Sequence, residues 1–295
     1  MMSLGMGLHI QTYSSPGAFV RRAEPWLLEA EAANNLLLGL GRRLQESVAD
    51  FEPPIFLATI EDDGAVVGCA FRTPPFKLGI TRMPEEALPL LVDEVEQVYG
   101  DIPAVLGPEP QARAFAALWS ERRGVAARAG MRQGIYQLER VIPPSRPPAG
   151  RLRAGRQEDV RLVATWLSAF SAEAGLPPVD AERKAADDVA RGALFLWEDG
   201  EPRSMAGAVA HTPHGARIGY VYTPPEWRGH GYASACVAGL SQRVLGSGRR
   251  FCFLYTDLSN PTSNAIYQRI GYERVCDVID YEFSAASRSS ESAEA

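Results

Sequence analysis

The sequence has little of three features that indicate common functions: clustered basic charge, long apolar runs and paired cysteines. Its 295 residues carry a formal net charge of −6 without a dense run of lysine and arginine, so we predict no nucleic-acid partner. No window approaches a membrane span of about 20 apolar residues, and the first residues do not form a basic and apolar leader. We therefore expect a cytoplasmic protein with no membrane partner.

The cysteines are few and scattered. Cys69, Cys236, Cys252 and Cys276 include no Cys-x-x-Cys pair, and several stand in apolar periodic stretches, so we interpret them as reduced core residues. Because the four histidines are scattered as well, we predict no metal site.

The length suggests two domains, because 295 residues exceed the usual size of one hydrophobic core. The segment 143–150, PPSRPPAG, contains four prolines, which remove backbone donors, fix φ and suit a semi-rigid linker. We predict an N-terminal domain over residues 1–142, a C-terminal domain over residues 151–284 and a disordered tail over residues 285–295.

The two halves share a pattern of strands and turns. An acidic-glycine turn, a small-residue strand, a Thr-Pro turn and a third strand occur in FLATIEDDGAVVGCAFRTPPFKLGITRMPEE and again in LFLWEDGEPRSMAGAVAHTPHGARIGYVYTPPE. Asp-Gly between apolar runs is a strong hairpin signal. The similarity predicts an internal duplication, although two hairpins can also look alike by chance. No glycine loop follows Pro84 in the first copy, whereas WRGHGYA follows Pro225 in the second.

Helical patterns surround these strands. Apolar spacing, together with proline or acidic residues at the start and glycine at the end, predicts helices in both halves. They cover residues 25–50 (one or two helices), 84–100 and 111–124 in the first half, and residues 158–170 and 180–191 in the second.

A glycine loop, Arg228-Gly229-His230-Gly231-Tyr232-Ala233, lies between a predicted strand over residues 217–223 and an amphipathic helix. Two glycines that flank one residue allow backbone N–H groups to turn inward, and the helix N-terminus adds about half a positive charge. The pattern predicts an anion-binding cradle. A tight turn without a ligand is the structural alternative.

A second motif follows a predicted buried strand over residues 250–256. Asn260 suits the N-cap of a helix with Pro261 at its first position, and Gly271 suits its end. In this order, the loop and the Asn260, Tyr267–Tyr272 pattern resemble the [RQ]-x-x-G-x-[GA] and N-x6-Y-x-x-x-G-[FY] signatures of the GCN5-related N-acetyltransferase (GNAT) superfamily. The resemblance covers about residues 151–283.

The resemblance implies an α/β fold of two GNAT-like modules, each a mixed, mostly antiparallel twisted sheet flanked by helices. The first module looks like a degenerate copy. Acetyl-CoA is the implied co-substrate, bound by the fourth strand, the glycine loop and the helix of the second motif. The residues implied in binding are Val221, Tyr222, Thr223, Arg228, Gly229, His230, Gly231, Tyr232, Ala233, Ser234, Asn260 and Tyr267.

Tyr267 is implied as the catalytic general acid. A phenol with a pKa of about 10 stays protonated at neutral pH and can donate to a leaving thiolate, whose thiol has a pKa of about 8.5. A core tyrosine is the structural alternative. The implied reaction is direct attack of a primary amine on the thioester. No base for that amine is evident, and the candidates near loops are Glu173, Glu226, His211 and His214.

A second class of function stays open. A protein that binds acetyl-CoA or CoA as a sensor or in an assembly, without turnover, would keep the same cradle and need no base. The acceptor is open as well, because variable loops form acceptor surfaces: the partner is a small-molecule or peptide amine. A homodimer is compatible with the sequence.

Overall fold

The computed structural model describes residues 7–175 and 180–285. Contacts within the chain define two compact units: the first runs to Gln133 and resumes at Cys276, and the second is Gly134–Val275. Of the predicted C-terminal tail, Ala285 ends the last strand, and the rest lies outside the described residues.

The elements of the first half alternate between strands and helices. They are β1 (His9–Thr12), α1 (Pro16–Glu29), α2 (Asn35–Glu46), β2 (Phe56–Asp62), β3 (Ala65–Arg72), β4 (Leu78–Ile80), α3 (Ala87–Tyr99), β5 (Ala104–Pro108), α4 (Glu109–Arg123) and β6 (Val125–Leu138).

The second half repeats this order. Its elements are β7 (Arg151–Ala154), α5 (Val160–Glu173), α6 (Ala181–Ala190), β8 (Leu194–Asp199), β9 (Glu201–His211), β10 (Gly215–Tyr222), α7 (Tyr232–Gly246), β11 (Phe251–Asp257), α8 (Pro261–Ile270) and β12 (Glu273–Ala285). The internal duplication is therefore confirmed in secondary structure. The match extends to strand pairing, because β2, β3 and β4 pair as β8, β9 and β10 do.

Each unit contains a mixed sheet. In the first unit β1, β2, β3 and β4 pair antiparallel, β4 pairs β5 in parallel, and β12 lies antiparallel beside β5. In the second unit β7, β8, β9 and β10 pair antiparallel, β10 pairs β11 in parallel, and β6 is the next strand after β11. The predicted α/β fold class is thus confirmed.

The closing strands are exchanged between the copies. The last strand of the sequence, β12, pairs with β5 of the first half through residues Val278 to Glu282, while β6 ends in the second unit. The boundaries between the two compact units therefore lie at 133/134 and 275/276, whereas the sequence predicts the domain boundary at the linker 143–150. Strand pairing is non-local, so an alternating pattern reveals a strand without revealing its neighbour.

Alternation along β8 shows how the second unit is built. Leu194 and Leu196 are fully buried in a core with α5 and α6, while Phe195 packs into a core with α7 and α8. Because successive side chains point to opposite faces of a strand, the sheet separates two helical layers. This arrangement leaves the carboxyl end of β10 next to the N-terminus of α7.

Two local differences from the sequence prediction have simple causes. The first helix begins at Pro16 rather than at Pro25, because Ser15 caps it by accepting a hydrogen bond from the Ala18 N–H, and Pro25 lies inside it. Three cysteines are buried as predicted, whereas Cys276 is half-buried. Burial raises the pKa of both Cys236 and Cys252 to about 12, which keeps these thiols protonated.

Candidate functional site

The strands β10 and β11 diverge in the middle of the second unit. Their parallel pairing covers only Gly215 to Arg217 of β10, opposite Phe251 to Phe253 of β11. Both strands continue, β10 to Tyr222 and β11 to Asp257. Since the ladder stops while the strands go on, no backbone pairing among the described residues joins the two strands farther along, and we call the gap between their ends the opening.

A β-bulge shapes the β10 side of this opening. Gly219 lies opposite Gly207 and Tyr222 opposite Met205, so two residues of β10 face one of β9. Tyr220, inside the bulge, has a φ of 52°, in the left-handed region that non-glycine residues rarely occupy. Strain of this kind often accompanies functional sites.

A hydroxyl chain fixes the end of β10. The buried Ser204 hydroxyl donates to the Tyr222 carbonyl at 3.0 Å, and the Thr223 hydroxyl donates to Ser204 Oγ at 2.9 Å. The Tyr222 carbonyl therefore points toward β9. Val221, the residue before Tyr222, lies within the bulge, where the regular alternation of backbone groups along a strand is interrupted.

The glycine loop leads from β10 into α7 in a conformation that requires glycine. Gly229 and Gly231 have φ values of 81° and 83°, where a side chain would strain the backbone. Gly231 is the N-cap and provides no side-chain cap, and the first intrahelical bond runs from the Ala235 N–H to the Gly231 carbonyl. The N–H groups of residues 232–234 are consequently free to bind an anion.

Arg228 is held beside this helix terminus. Its Nε donates to the Thr223 carbonyl at 2.9 Å, and its Nη2 donates to both carboxylate oxygens of Glu173 at 2.7 and 2.9 Å. The hydrogen bond to Glu173 is the largest cause of the raised pKa of Arg228. Both side chains are about half exposed, so the guanidinium remains accessible to an incoming anion.

The other residues of the loop pack onto one another. The imidazole of His230 stacks on the Tyr232 ring at 6.0 Å between centroids, and its Nδ1 lies 3.0 Å from the Arg228 carbonyl oxygen. Ala233 and Ser234 form the first turn of α7 and are half-buried. The loop from Arg228 to Gly231 is itself exposed.

Helix α8 borders the β11 side of the opening. Asn260 caps it by accepting a hydrogen bond from the Ser263 N–H at 3.0 Å, with Pro261 at its first position, and Gly271 ends it with a φ of 106°. These features are as the sequence predicts. The cap holds α8 at the point where β11 ends.

Tyr267 lies on α8 among apolar side chains. It is 8% exposed, shares a core cluster with Leu254 and Ile270, and Val221 packs against the same cluster. Burial alone raises its pKa to about 12. The structure thus brings Tyr267 and the diverging end of β10 into one cluster, with the hydroxyl in its protonated form.

The four base candidates lie at two ends of β10. Two of them are at the carboxyl end: Glu173 is bound to Arg228, and Glu226 lies in the turn before the loop. His211 ends β9 opposite Ala216, and His214 precedes β10, so both are near its amino end. The two ends are about 23 Å apart, since the seven steps between the eight residues of the strand advance about 3.3 Å each.

The sequence analysis missed the residues that support the predicted ones. Asn264 Nδ2 donates to the carbonyls of Asp257 and Leu258 at 3.1 and 3.4 Å, which ties α8 to the end of β11. The spacing of Asn264 one helical turn after Asn260 is a usable signal. Ser204 and Tyr220 give no such signal, because their roles depend on the register between β9 and β10.

With this geometry established, the chain can be compared with known proteins. The family described as FR47-like protein matches residues 196–279, which include the glycine loop and α8. No curated protein matches the sequence. In the described residues, no helix is both long and apolar enough to cross a membrane.

Solved GNAT structures share the fold at low identity. A GNAT-family acetyltransferase from Colwellia psychrerythraea is 14% identical with a TM-score of 0.57, covering 93% of this chain and 99% of its own. A GCN5-related N-acetyltransferase from Sphaerobacter thermophilus is 16% identical with a TM-score of 0.59, covering 95% and 96%.

A tandem arrangement is also represented. A tandem GNAT protein from the clavulanic acid biosynthesis pathway is 14% identical with a TM-score of 0.52, covering 94% of this chain and 98% of its own. The structure therefore has the fold of tandem GCN5-related N-acetyltransferases, and the resemblance seen in the sequence is confirmed at the level of the fold.

Proposed function

We propose that the second unit is an acetyl-CoA-dependent N-acetyltransferase that transfers the acetyl group to a primary amine by direct attack on the thioester. One observation carries the proposal: a single opening between β10 and β11 is bordered by the uncapped, glycine-started α7 and by the helix that carries Tyr267. Neither feature alone would specify an acyl transfer.

The α7 terminus suits the pyrophosphate end of acetyl-CoA. The N–H groups of residues 232–234 and the positive end of the helix dipole favour a phosphate there. Arg228 is anchored to Thr223 through Nε and to Glu173 through Nη2, and its guanidinium, 47% exposed, can also form a charge-assisted contact with an anion.

The exposed edge of β10 suits the pantetheine amides. The carbonyls of Tyr222 and Thr223 already accept hydrogen bonds from Ser204 and Arg228. Val221, which lies within the bulge of β10, is our first candidate among the three for pairing with an extended amide chain. This pairing would add the pantetheine arm beside β10 as a strand-like neighbour.

Tyr267 suits the thioester end. A hydroxyl with a pKa of about 12 is protonated at every pH at which the enzyme would work, so it can donate to the sulfur as the C–S bond breaks. The pKa of the leaving thiol, about 8.5 in water, is also raised by apolar surroundings. The same apolar surroundings therefore make the leaving thiolate a stronger proton acceptor, while they also make the Tyr267 hydroxyl a weaker acid.

The amine must lose a proton before or during attack. A primary amine with a pKa of about 10 is neutral in about one part in a thousand at pH 7. Glu173 is paired with Arg228 at the phosphate end, which makes it a poor base for the thioester end. Water or another side chain is the remaining proton acceptor, and we assign no residue to this step.

Thiol release from acetyl-CoA with a panel of small-molecule and peptide amines tests the proposal. We expect wild-type protein to release CoA faster when a suitable amine is added. Gly231→Val should abolish both CoA binding in calorimetry and turnover, because a side chain at φ 83° distorts the loop. Gly248→Val is the matched control, since Gly248 has a φ of 94° and open space around it but follows the other end of α7.

The outcomes separate the two classes of function. CoA binding without amine-dependent release would indicate a sensor or assembly protein instead of an enzyme. If Gly231→Val and Gly248→Val bind CoA equally well, the glycine loop is not the phosphate site.

A further inference from the structure

The β8–β9 hairpin contacts the glycine loop at both of its ends. The loop from Arg228 to Gly231 is exposed, but its flanking residues, Trp227 and Tyr232, are half-buried and buried. Each of these two aromatic side chains contacts a residue of the hairpin. Neither of the two GNAT-like motifs includes these hairpin residues.

The contact after the loop is a hydrogen bond to a carboxylate. The Tyr232 hydroxyl donates to Asp199 Oδ2 at 2.7 Å, and this bond is the largest cause of the raised pKa of Tyr232. Tyr232 is the first residue of α7, and its N–H is one of the free donors. The bond therefore fixes the residue that starts the anion-binding turn.

The contact before the loop is a cation–π stack. The guanidinium carbon of Arg203 lies 3.5 Å from the centre of the Trp227 ring, a favourable position for a cation. Arg203 is only 15% exposed, and its Nε donates to the Asp199 carbonyl at 3.2 Å. One hairpin residue is thus tied to the other, so that both ends of the loop share a single support.

We propose that Asp199 and Arg203 are positioning residues that hold the glycine loop in its anion-binding shape through Tyr232 and Trp227. The expected effect on cofactor affinity rests on the proposed function. The four residues of the loop are exposed, and the contacts of Arg228 with Thr223 and Glu173 are made by a half-exposed side chain. A loop that is fixed before binding loses less conformational entropy when it binds, which raises affinity.

Calorimetry with CoA and with pantetheine tests the proposal. Tyr232→Phe removes only the hydroxyl, and we expect a CoA dissociation constant about tenfold higher, as for the loss of one hydrogen bond to a charged group. Pantetheine lacks the pyrophosphate, so its affinity should change less than about twofold. Asp199→Ala should raise the CoA dissociation constant as much as Tyr232→Phe does. Asp199→Asn keeps a hydrogen-bond acceptor and should therefore retain most of the wild-type affinity for CoA.

A second measurement tests the support without a ligand. Hydrogen exchange of the Ala235 amide, which donates to the Gly231 carbonyl, should accelerate in Tyr232→Phe. It should not change in Tyr99→Phe, which removes a comparable tyrosine hydrogen bond, to the Pro54 carbonyl at 2.6 Å, in the first unit. Equal exchange and equal CoA affinity in Tyr232→Phe and wild type would overturn the proposal. If wild-type protein bound no CoA, the proposed function would fail, and the exchange data would still decide whether the hairpin holds the loop.

Discussion

The two units share one order of elements and differ most where β4 and β10 end. In the first unit β4 is only three residues long, and the residue after it, Thr81, still donates its N–H to the Cys69 carbonyl of β3. In the second unit β10 has eight residues, a bulge and a glycine loop. The same topology therefore provides an opening in one copy and not in the other.

Direct contacts fill the corresponding region of the first unit. Gln111 of α4 donates to the Met83 carbonyl at 3.2 Å, so the helix after β5 binds the segment after β4. Trp119, also on α4, is fully buried and stacks on Phe115 at 5.9 Å. Where the second unit has a polar loop and a tyrosine, the first unit has a packed core.

This difference shows that the fold does not determine the function of a copy. An open site needs unpaired backbone donors and a left-handed loop, both of which reduce stability, whereas a filled site adds buried apolar area. We infer that the first unit contributes stability and that the second carries the chemistry.

The largest expected effect comes from emptying the filled site. Trp119→Ala should reduce the free energy of unfolding by about 3–5 kcal/mol, the usual cost of a large cavity. The indole N–H has no hydrogen-bond partner in the described residues, so Trp119→Phe, which keeps most of the apolar packing, should cost much less. Urea unfolding measures both. Equal losses in the two variants would mean that packing of the ring is not the cause.

The second effect concerns the open site. Tyr267→Phe should lower kcat by about 100-fold, the low end of the range of one general acid, and should leave the CoA dissociation constant nearly unchanged. Tyr272→Phe is the control, because it removes a buried hydroxyl that contacts Ser241 at 2.8 Å. A similar kcat for Tyr267→Phe and wild type would remove Tyr267 from the mechanism.

Local signals in the sequence predicted much of this comparison. The Asp-Gly turn at 199–200, the Asn260 cap and the glycine loop each depend on neighbours within a few residues, and each is found where the pattern indicates. The lack of a glycine loop after Pro84 likewise marked the copy without an open site.

Non-local features could not be predicted. The exchange of β6 and β12 depends on which strands pair, and both strands have similar patterns. The bulge at Tyr220 depends on the register with β9, since tyrosine does not favour a left-handed conformation. The pairing of Arg228 with Glu173 joins residues 55 apart in the sequence, which no local motif indicates.

The smallest expected effect compares one ion pair from each unit. In the second unit burial opposes ionisation of Asp159, but hydrogen bonds from Arg153 and from the Arg156 N–H outweigh it and lower its pKa. In the first unit a hydrogen bond from Arg22 is the main cause of the lowered pKa of Glu61. Both carboxylates therefore stabilise the fold above their unfolded pKa values of about 4, and this stabilisation is lost as the pH falls through their folded values.

Urea midpoints measured from pH 7 to pH 3 test this comparison. The side chains of Arg153 and Asp159 are 11% and 7% exposed, whereas Arg22 is 39% exposed, and solvent weakens exposed pairs. Asp159→Asn should therefore flatten the acid limb of the stability curve more than Glu61→Gln does. Added salt should reduce the contribution of Glu61 more than that of Asp159, because buried pairs are screened less. If Glu61→Gln has the larger effect on the acid limb, then the solvent exposure of an ion pair does not determine how much stability the protein loses in acid when that pair is removed.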